Sequence, residues 1–136
     1  MMFELRQRFY FEAAHTLSRA IGTDASRRIH GHTYHAEVVV YGEADPVTGM
    51  LLDLGGLREK LEIARALLDH RFLDEVEGLG PATLENLSRF IWNTLQPSLP
   101  QLLSVSVSRG ASGDTCLYRG TSGASASGTS ASGPDR

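Results

Sequence analysis

Two histidines separated by a single glycine, His30-Gly31-His32, have the types and spacing that a metal site requires. In an extended chain, residues i and i+2 point the same way, so both imidazoles would lie on one face of a strand. Neutral imidazole nitrogens suit Zn²⁺, which prefers a tetrahedron of nitrogen and sulfur ligands. A lone pair of this kind is more often a surface or hydrogen-bonded pair, so a third ligand is needed.

The strand at the start of the chain offers that third ligand. Residues 2–14 alternate between apolar and polar side chains, and His15 ends the apolar side. If this strand pairs antiparallel with a second strand over residues 32–42, His15 reaches His30 and His32. The fourth zinc position then stays open for water or substrate, as a catalytic site requires. The alternative is a set of core histidines satisfied by ordinary hydrogen bonds.

Length and charge narrow the function classes. The chain has 136 residues, a net charge of −3 and one cysteine. That length predicts one domain, and the absence of a basic run disfavours nucleic acid and anionic membranes as partners. No stretch approaches membrane-spanning length, and the first residues lack a signal-peptide pattern. The expectation is a cytoplasmic protein without disulfides.

Two helices are expected between pairs of strands. Asp53 is positioned to cap the first helix, and Thr83 the second. The apolar residues at helical spacing are Leu57, Leu61, Ala64, Leu67 and Leu68 in the first helix, and Leu84, Leu87, Ile91 and Leu95 in the second. Residues 16–28 show no periodicity and are expected to form a loop.

The end of the chain predicts two short strands and a tail. Residues 103–108 alternate, and 115–119 follow after a glycine turn. Residues 121–136 contain no large apolar side chain and are expected to be disordered, which leaves 1–120 as the folded domain. The predicted order is β-β-α-α-β-β.

Several motifs together resemble the 6-pyruvoyl-tetrahydropterin synthase family, and particularly its 6-carboxytetrahydropterin synthase branch. Their order and spacing agree with that branch over residues 2–120. The motifs are Phe11-Glu12-Ala13-Ala14-His15, His30-Gly31-His32, Tyr41 to Met50, Leu51-Leu52-Asp53-Leu54, Leu68-Asp69-His70-Arg71-Phe72-Leu73, Thr83-Leu84-Glu85-Asn86 and Leu117-Tyr118-Arg119-Gly120.

This resemblance implies an α+β tunnelling fold, a four-stranded antiparallel sheet with two helices on one face. It further implies trimeric barrels stacked into a homohexamer, with sites at subunit interfaces. His15, His30 and His32 would hold zinc, which acts as a Lewis acid on 7,8-dihydroneopterin triphosphate. The implied activity is that of a zinc-dependent carbon–oxygen lyase or cyclase, and the branch works in queuosine biosynthesis.

The resemblance also assigns roles to polar residues outside the histidine triad. Asp69 and His70 would form a proton relay, in which the carboxylate orients and stabilises the imidazole. Without the resemblance, this pair is interpreted as an ion pair at a helix end. Thr83 and Glu85 are candidate substrate contacts, although helix capping and surface exposure account for them almost equally well.

Two positions depart from the family pattern. Ser26 stands where the family has a catalytic cysteine, and a serine hydroxyl holds its proton far more tightly than a thiol. Cys116, in the last strand, is interpreted as a packing residue. Where the family has a glutamate that anchors the pterin, this chain has Arg109 or Gly110. Arg109 in that place favours an anionic or acceptor-bearing ligand.

Three hypotheses follow from these matches and departures. The first is the family reaction, with Ser26 as a weakened or substituted base. The second is a relative with the same fold and metal that acts on a different heterocycle or catalyses a different reaction. The third is a zinc-binding assembly that binds a ligand or partner enzyme and turns nothing over.

Overall fold

The computed structural model of the chain describes residues 2–21 and 23–120 and consists of one antiparallel sheet with helices packed against it. The strands are β1 (Met2–His15), β2 (His30–Glu43), β3 (Leu102–Arg109) and β4 (Asp114–Tyr118), and the helices are α1 (Thr23–Arg27), α2 (Leu54–Ala66) and α3 (Leu84–Leu95). The strands lie in the order β1-β2-β3-β4, and each neighbouring pair is antiparallel. This architecture confirms the α+β fold expected from the resemblance.

The register between β1 and β2 brings the ends of both strands together. His15 lies opposite His30, and Ala13 lies opposite His32. The alternation of side chains then directs all three histidines to the face that the helices cover. Between β2 and β3, Tyr34 lies opposite Arg109, so these two residues share that inner face.

The core lies between the inner face of the sheet and the two long helices. Its members are almost fully buried, because α2 and α3 each direct an apolar stripe at the strands. From the sheet they include Phe11, Tyr34, Val38 and Val105, and from the helices Leu57, Leu61, Leu87 and Ile91. The histidines sit at one end of this core, where β1 and β2 meet.

Capping residues begin both long helices as the sequence indicates. The Asp53 carboxylate accepts from the amides of Gly55 and Gly56 at 3.4 and 3.3 Å. Thr83 Oγ1 accepts from the amide of Asn86 at 3.1 Å. Leu67 departs from the predicted buried stripe, since it is the C-cap of α2 and its side chain is 42% exposed.

Backbone pairing joins the end of α2 to the edge of β1. The His70 amide donates to the Glu12 carbonyl at 2.6 Å, and the Ala14 amide donates to the Arg71 carbonyl at 3.1 Å. His70 adopts a left-handed backbone conformation, with φ of 57°. The segment around His70 is thereby fixed beside the end of β1 that carries His15.

The expectations for the loop over residues 16–28 and for the tail over residues 121–136 have different outcomes. The predicted loop over residues 16–28 contains the five-residue helix α1, which is too short to give a periodic apolar pattern. The tail predicted at 121–136 lies outside the described residues. Within 2–21 and 23–120, no helix is long and apolar enough to cross a membrane.

Candidate metal centre

Three histidine side chains converge at the paired ends of β1 and β2. One ring nitrogen from each of His15, His30 and His32 lies within 4.8 Å of the others. The Nε2 atoms of His15 and His30 are 3.0 Å apart. Ligand nitrogens around tetrahedral zinc are about 3.3 Å apart, so a small adjustment of these rings brings all three into its coordination shell.

Backbone carbonyls determine which nitrogen of two histidines faces the cluster. His15 Nδ1 donates to the carbonyl of Ala82 at 2.9 Å, and His30 Nδ1 donates to the carbonyl of Arg28 at 2.8 Å. A carbonyl can only accept, so both Nδ1 atoms carry the hydrogen and both Nε2 lone pairs remain free. Two lone pairs that face each other at 3.0 Å repel, and a cation bound by both nitrogens removes that repulsion.

The third histidine of the cluster, His32, has a buried ring nitrogen. His32 Nε2 is buried and finds no hydrogen-bond partner in the described part of the chain. Burial, and then the neighbouring His15, lowers the pKa of His32 to about 4. Burial also lowers the pKa of His15, against the opposing effect of its bond to Ala82. Both rings are therefore neutral near pH 7, which is the form that binds a metal, and the donor set fits zinc.

Asp69 and His70 form a hydrogen-bonded pair at the edge of the sheet. His70 Nδ1 donates to Asp69 Oδ2 at 2.9 Å, and the Glu12 amide donates to Asp69 Oδ1 at 2.9 Å. The bond from Glu12 lowers the pKa of Asp69, helped by His70 and by Arg65, whose guanidinium lies 3.2 Å from the carboxylate. The His70 side chain is 81% exposed and lines a cavity of about 490 Å³ that His32 also lines.

A second cavity, of about 240 Å³, is lined by His15 of the histidine cluster. The three residues predicted as substrate contacts, Thr83, Glu85 and Arg109, line it together with residues for which the sequence predicted no role in substrate binding. The lining includes His15, Tyr34, Thr83, Glu85, Arg109 and Asp114. The predicted contacts and one predicted metal ligand therefore share a single concave space.

Arg109 and Asp114 face each other across the β3–β4 hairpin. Their side chains form an ion pair with Nη2 and Oδ2 2.8 Å apart, and Ser112 Oγ donates to the same carboxylate oxygen at 2.9 Å. The bond from Ser112 and the pairing with Arg109 lower the pKa of Asp114. No acid stands at the end of β3, but the hairpin supplies Asp114 from the next strand. The sequence does contain a signal for this role of Asp114. The glycine turn over residues 110–113 joins β3 to β4 and so places Asp114 opposite Arg109.

Tyr34 is a second residue of this cavity that the sequence reasoning did not identify as functional. Its side chain is 1% exposed, and its hydroxyl has no partner among the described residues. Burial raises the pKa of Tyr34 to about 12. The alternation that places His30 and His32 on the inner face continues to Tyr34, so its position could have been inferred.

Ser26 stands apart from both cavities. It is buried in α1, and its carbonyl accepts from the Leu17 amide at 2.7 Å. It is absent from the described residues that line the cavities beside the histidines. Cys116, the other residue considered for a thiol role, is half-buried in β4 opposite Val107.

Comparisons of the sequence and of the structure with known proteins all lead to tetrahydropterin synthases. The sequence model described as 6-pyruvoyl tetrahydropterin synthase matches residues 4–121. Human 6-pyruvoyl tetrahydrobiopterin synthase is 34% identical over 111 residues, covering 71% of this chain and 77% of the human protein. The 6-carboxy-5,6,7,8-tetrahydropterin synthase of a Synechocystis species is 33% identical over 112 residues, covering 78% of this chain and 85% of that protein. The solved structure of Caenorhabditis elegans 6-pyruvoyl tetrahydropterin synthase superposes with a TM-score of 0.77 at 25% identity, covering 89% of this chain and 97% of that one.

Proposed function

Since the chain belongs to the 6-pyruvoyl tetrahydropterin synthase family, we propose that it is a zinc-dependent carbon–oxygen lyase or cyclase. Its substrate would be 7,8-dihydroneopterin triphosphate and its product a 6-substituted tetrahydropterin. The observation that carries the proposal is the convergence of three histidines, two of which are oriented by backbone carbonyls. The 6-carboxy branch would give it a role in queuosine biosynthesis in the cytoplasm.

The three histidines would hold the metal through one nitrogen each. His15 and His30 would bind through Nε2, because their Nδ1 atoms are occupied by the carbonyls of Ala82 and Arg28. His32 would bind through its buried Nε2. Zinc in this position supplies Lewis-acid chemistry, which makes C–H and O–H protons on a bound substrate easier to remove.

The pair of Asp69 and His70 would move those protons. The Asp69 carboxylate holds the hydrogen of His70 on Nδ1, so Nε2 is the atom available to accept and return a proton. His70 is exposed and shares a cavity with His32, which is consistent with access to a substrate near the metal. Ser26 would be a poorer base than the family's cysteine, because a serine hydroxyl holds its proton more tightly than a thiol.

Substrate binding would fall to the smaller cavity beside the metal. Thr83, Glu85 and Arg109 line it together with His15, so a ring bound there would be adjacent to the metal. Thr83 Oγ1 already accepts from the α3 backbone, which leaves its hydroxyl hydrogen for a ligand.

A different substrate or reaction is the second candidate function. It is favoured by the ion pair of Arg109 with Asp114, at the strand end where the family pattern has a glutamate, and by Ser26 in place of cysteine. The third candidate is a zinc-binding assembly without turnover. All three share the fold and the metal, and they differ in what the protein does to a bound ligand.

We also propose that the chain assembles with copies of itself, as two trimers that form a hexamer. β1 and β4 are the edge strands of the sheet that the structure describes, so each offers unpaired backbone groups to another chain. Residues 70–72 cover β1 only near Glu12 and Ala14. Exposed apolar side chains also mark these two strands, among them Met2, Phe3 and Leu117.

A turnover assay tests the proposed function. Zinc-loaded protein is given 7,8-dihydroneopterin triphosphate, and tetrahydropterin and aldehyde products are followed for the unaltered chain, Ser26→Cys and His70→Ala. We expect turnover by the unaltered chain and loss of it in His70→Ala. Ser26 lines neither cavity, so a higher rate in Ser26→Cys, whose thiol loses its proton near pH 8.5, would show that position 26 nevertheless reaches the substrate.

The outcomes separate the family reaction from the other two candidates. Activity only in Ser26→Cys would mean that the pterin site is retained and the unaltered chain lacks the base. Inactivity of the unaltered chain and of Ser26→Cys, with zinc bound, would contradict the family reaction and leave the other two candidates, a different substrate and an assembly without turnover. If His70→Ala turns over substrate at the rate of the unaltered chain, the proposed proton relay is ruled out.

A further inference from the structure

The smaller cavity beside the histidines contains two buried hydrogen-bond donors without acceptors. The hydroxyl of Tyr34 and the Nε of Arg109 are both buried, and neither has a partner within residues 2–21 and 23–120. The two residues lie directly opposite each other on β2 and β3 and line the same cavity. Buried polar groups are nearly always hydrogen-bonded, so two orphaned donors in one space indicate that a ligand supplies the acceptor.

The charge around these donors limits what that acceptor is. Nη2 of Arg109 is already paired with Asp114 at 2.8 Å, and Glu85 lines the same cavity. The positive charge of the guanidinium is therefore balanced by the Asp114 carboxylate, and a second carboxylate lines the same cavity. A phosphate or carboxylate entering this space would meet no excess of positive charge.

We propose that Tyr34 and Arg109 form a donor pair that binds an uncharged carbonyl oxygen on the ring of the substrate, next to the metal centre. The identity of the ring rests on the proposed function, in which the substrate is a pterin. Recognition of this kind differs from an acidic anchor, which binds the N–H groups of a ring. Here the specificity comes from two donors directed at one oxygen, with Tyr34 fixed by stacking on Phe11 at 5.0 Å between ring centroids.

Binding of two matched probes to the zinc-loaded full chain tests this inference. Pterin carries the ring carbonyl and an N3–H donor beside it, whereas 2,4-diaminopteridine has an amino group in place of the carbonyl and an N3 without hydrogen. The two probes therefore differ at two neighbouring positions, and the variants of Tyr34 and Arg109 assign the preference to the carbonyl. We expect pterin to bind at least about tenfold more tightly than 2,4-diaminopteridine, because a site built to hydrogen-bond one group rejects an analogue that leaves buried groups unpaired. Calorimetric or fluorescence titration measures both affinities.

Two variants and their controls assign the effect to the proposed pair. Tyr34→Phe removes only the hydroxyl, and Arg109→Gln removes the guanidinium. Each is expected to reduce the preference for pterin to less than about threefold. The matched controls are Tyr41→Phe, on the same strand but the opposite, exposed face, and Arg58→Gln, on the exposed side of α2. Both controls should retain the full preference, and thermal unfolding checks that every variant is folded.

Several results would overturn the inference. They are failure of the unaltered chain to bind pterin, equal binding of the two probes, and an unchanged preference in Tyr34→Phe. Competition of inorganic pyrophosphate with pterin, lost in Arg109→Gln, would show that Arg109 takes an anion instead. Neither probe is turned over, so a chain that prefers pterin but is inactive keeps this inference and loses the proposed reaction. A chain that turns over the substrate but binds both probes equally would keep the proposed reaction and lose this inference.

Discussion

At the scale of single residues, the candidate metal centre depends on atoms that the sequence could only partly identify. Strand alternation and the His-Gly-His spacing indicated which three histidines converge. They did not indicate that the carbonyls of Ala82 and Arg28 would fix the hydrogen on Nδ1 of His15 and His30. Ala82 lies 67 positions from His15, and a contact between a strand end and a loop at that separation leaves no periodic signal.

Removing His32 should separate metal binding from folding. Its buried Nε2 has no partner in the described part of the chain, so His32→Ala should change the stability of the metal-free protein by at most about 1 kcal/mol. Zinc at a hundred times its dissociation constant should stabilise the unaltered chain by about 2.7 kcal/mol and the variant far less. Thermal unfolding with and without zinc measures both quantities.

The control for that experiment is His35→Ala. His35 lies on the same strand as His32 but is exposed on the opposite face. Its variant should be stabilised by zinc as strongly as the unaltered chain is. Equal stabilisation of His32→Ala and His35→Ala would contradict the proposed ligand set.

At the scale of secondary-structure elements, the sequence predicted the four strands, the two long helices and both helix caps. It missed α1, because five residues make barely more than one turn and show no amphipathic pattern. It also missed the pairing of residues 70–72 with β1, which uses backbone groups and needs no particular side chains. This pairing determines where Asp69 and His70 lie, so the sequence could name the pair but not its position.

Asp69 should make the link between α2 and β1 dependent on pH. Hydrogen bonds, chiefly from the Glu12 amide, lower the pKa of Asp69 in the folded chain below its ordinary value of 3.8. The unfolded chain therefore takes up a proton first, and the stabilisation present above pH 3.8 is lost as the pH falls through the folded pKa. Asp69→Asn should lower the melting temperature near pH 7, and its deficit should shrink below about pH 4. A deficit that stays constant between about pH 3 and 7 would be inconsistent with this account.

The cap of α2 provides a test of stability away from the site. The Asp53 side chain accepts from two amides in the first turn, so Asp53→Ala should cost about 1 kcal/mol of unfolding free energy. Urea denaturation measures that loss. Zinc affinity should be unchanged, because Asp53 lies outside both cavities beside the histidines. A parallel loss of zinc binding would mean that α2 supports the centre more directly than the contacts indicate.

At the scale of the whole molecule, the sheet of one chain ends at β4 on one side and at β1 on the other, where residues 70–72 cover only the part near Glu12 and Ala14. The resemblance predicts that six chains assemble. Native mass spectrometry should give six times the mass of one chain, with three times that mass as the species formed on mild dissociation. A single-chain mass at all protein concentrations would exclude the proposed assembly and sites at subunit interfaces.

If zinc at His15, His30 and His32 supports the family reaction, turnover must depend on the metal. The protein is stripped with a chelator, returned to zinc in steps, and assayed with 7,8-dihydroneopterin triphosphate at each step. We expect no turnover without metal and a rate that rises until one zinc per chain is bound. Turnover that persists in the stripped protein, or protein that binds one zinc per chain and forms no tetrahydropterin, would contradict this expectation.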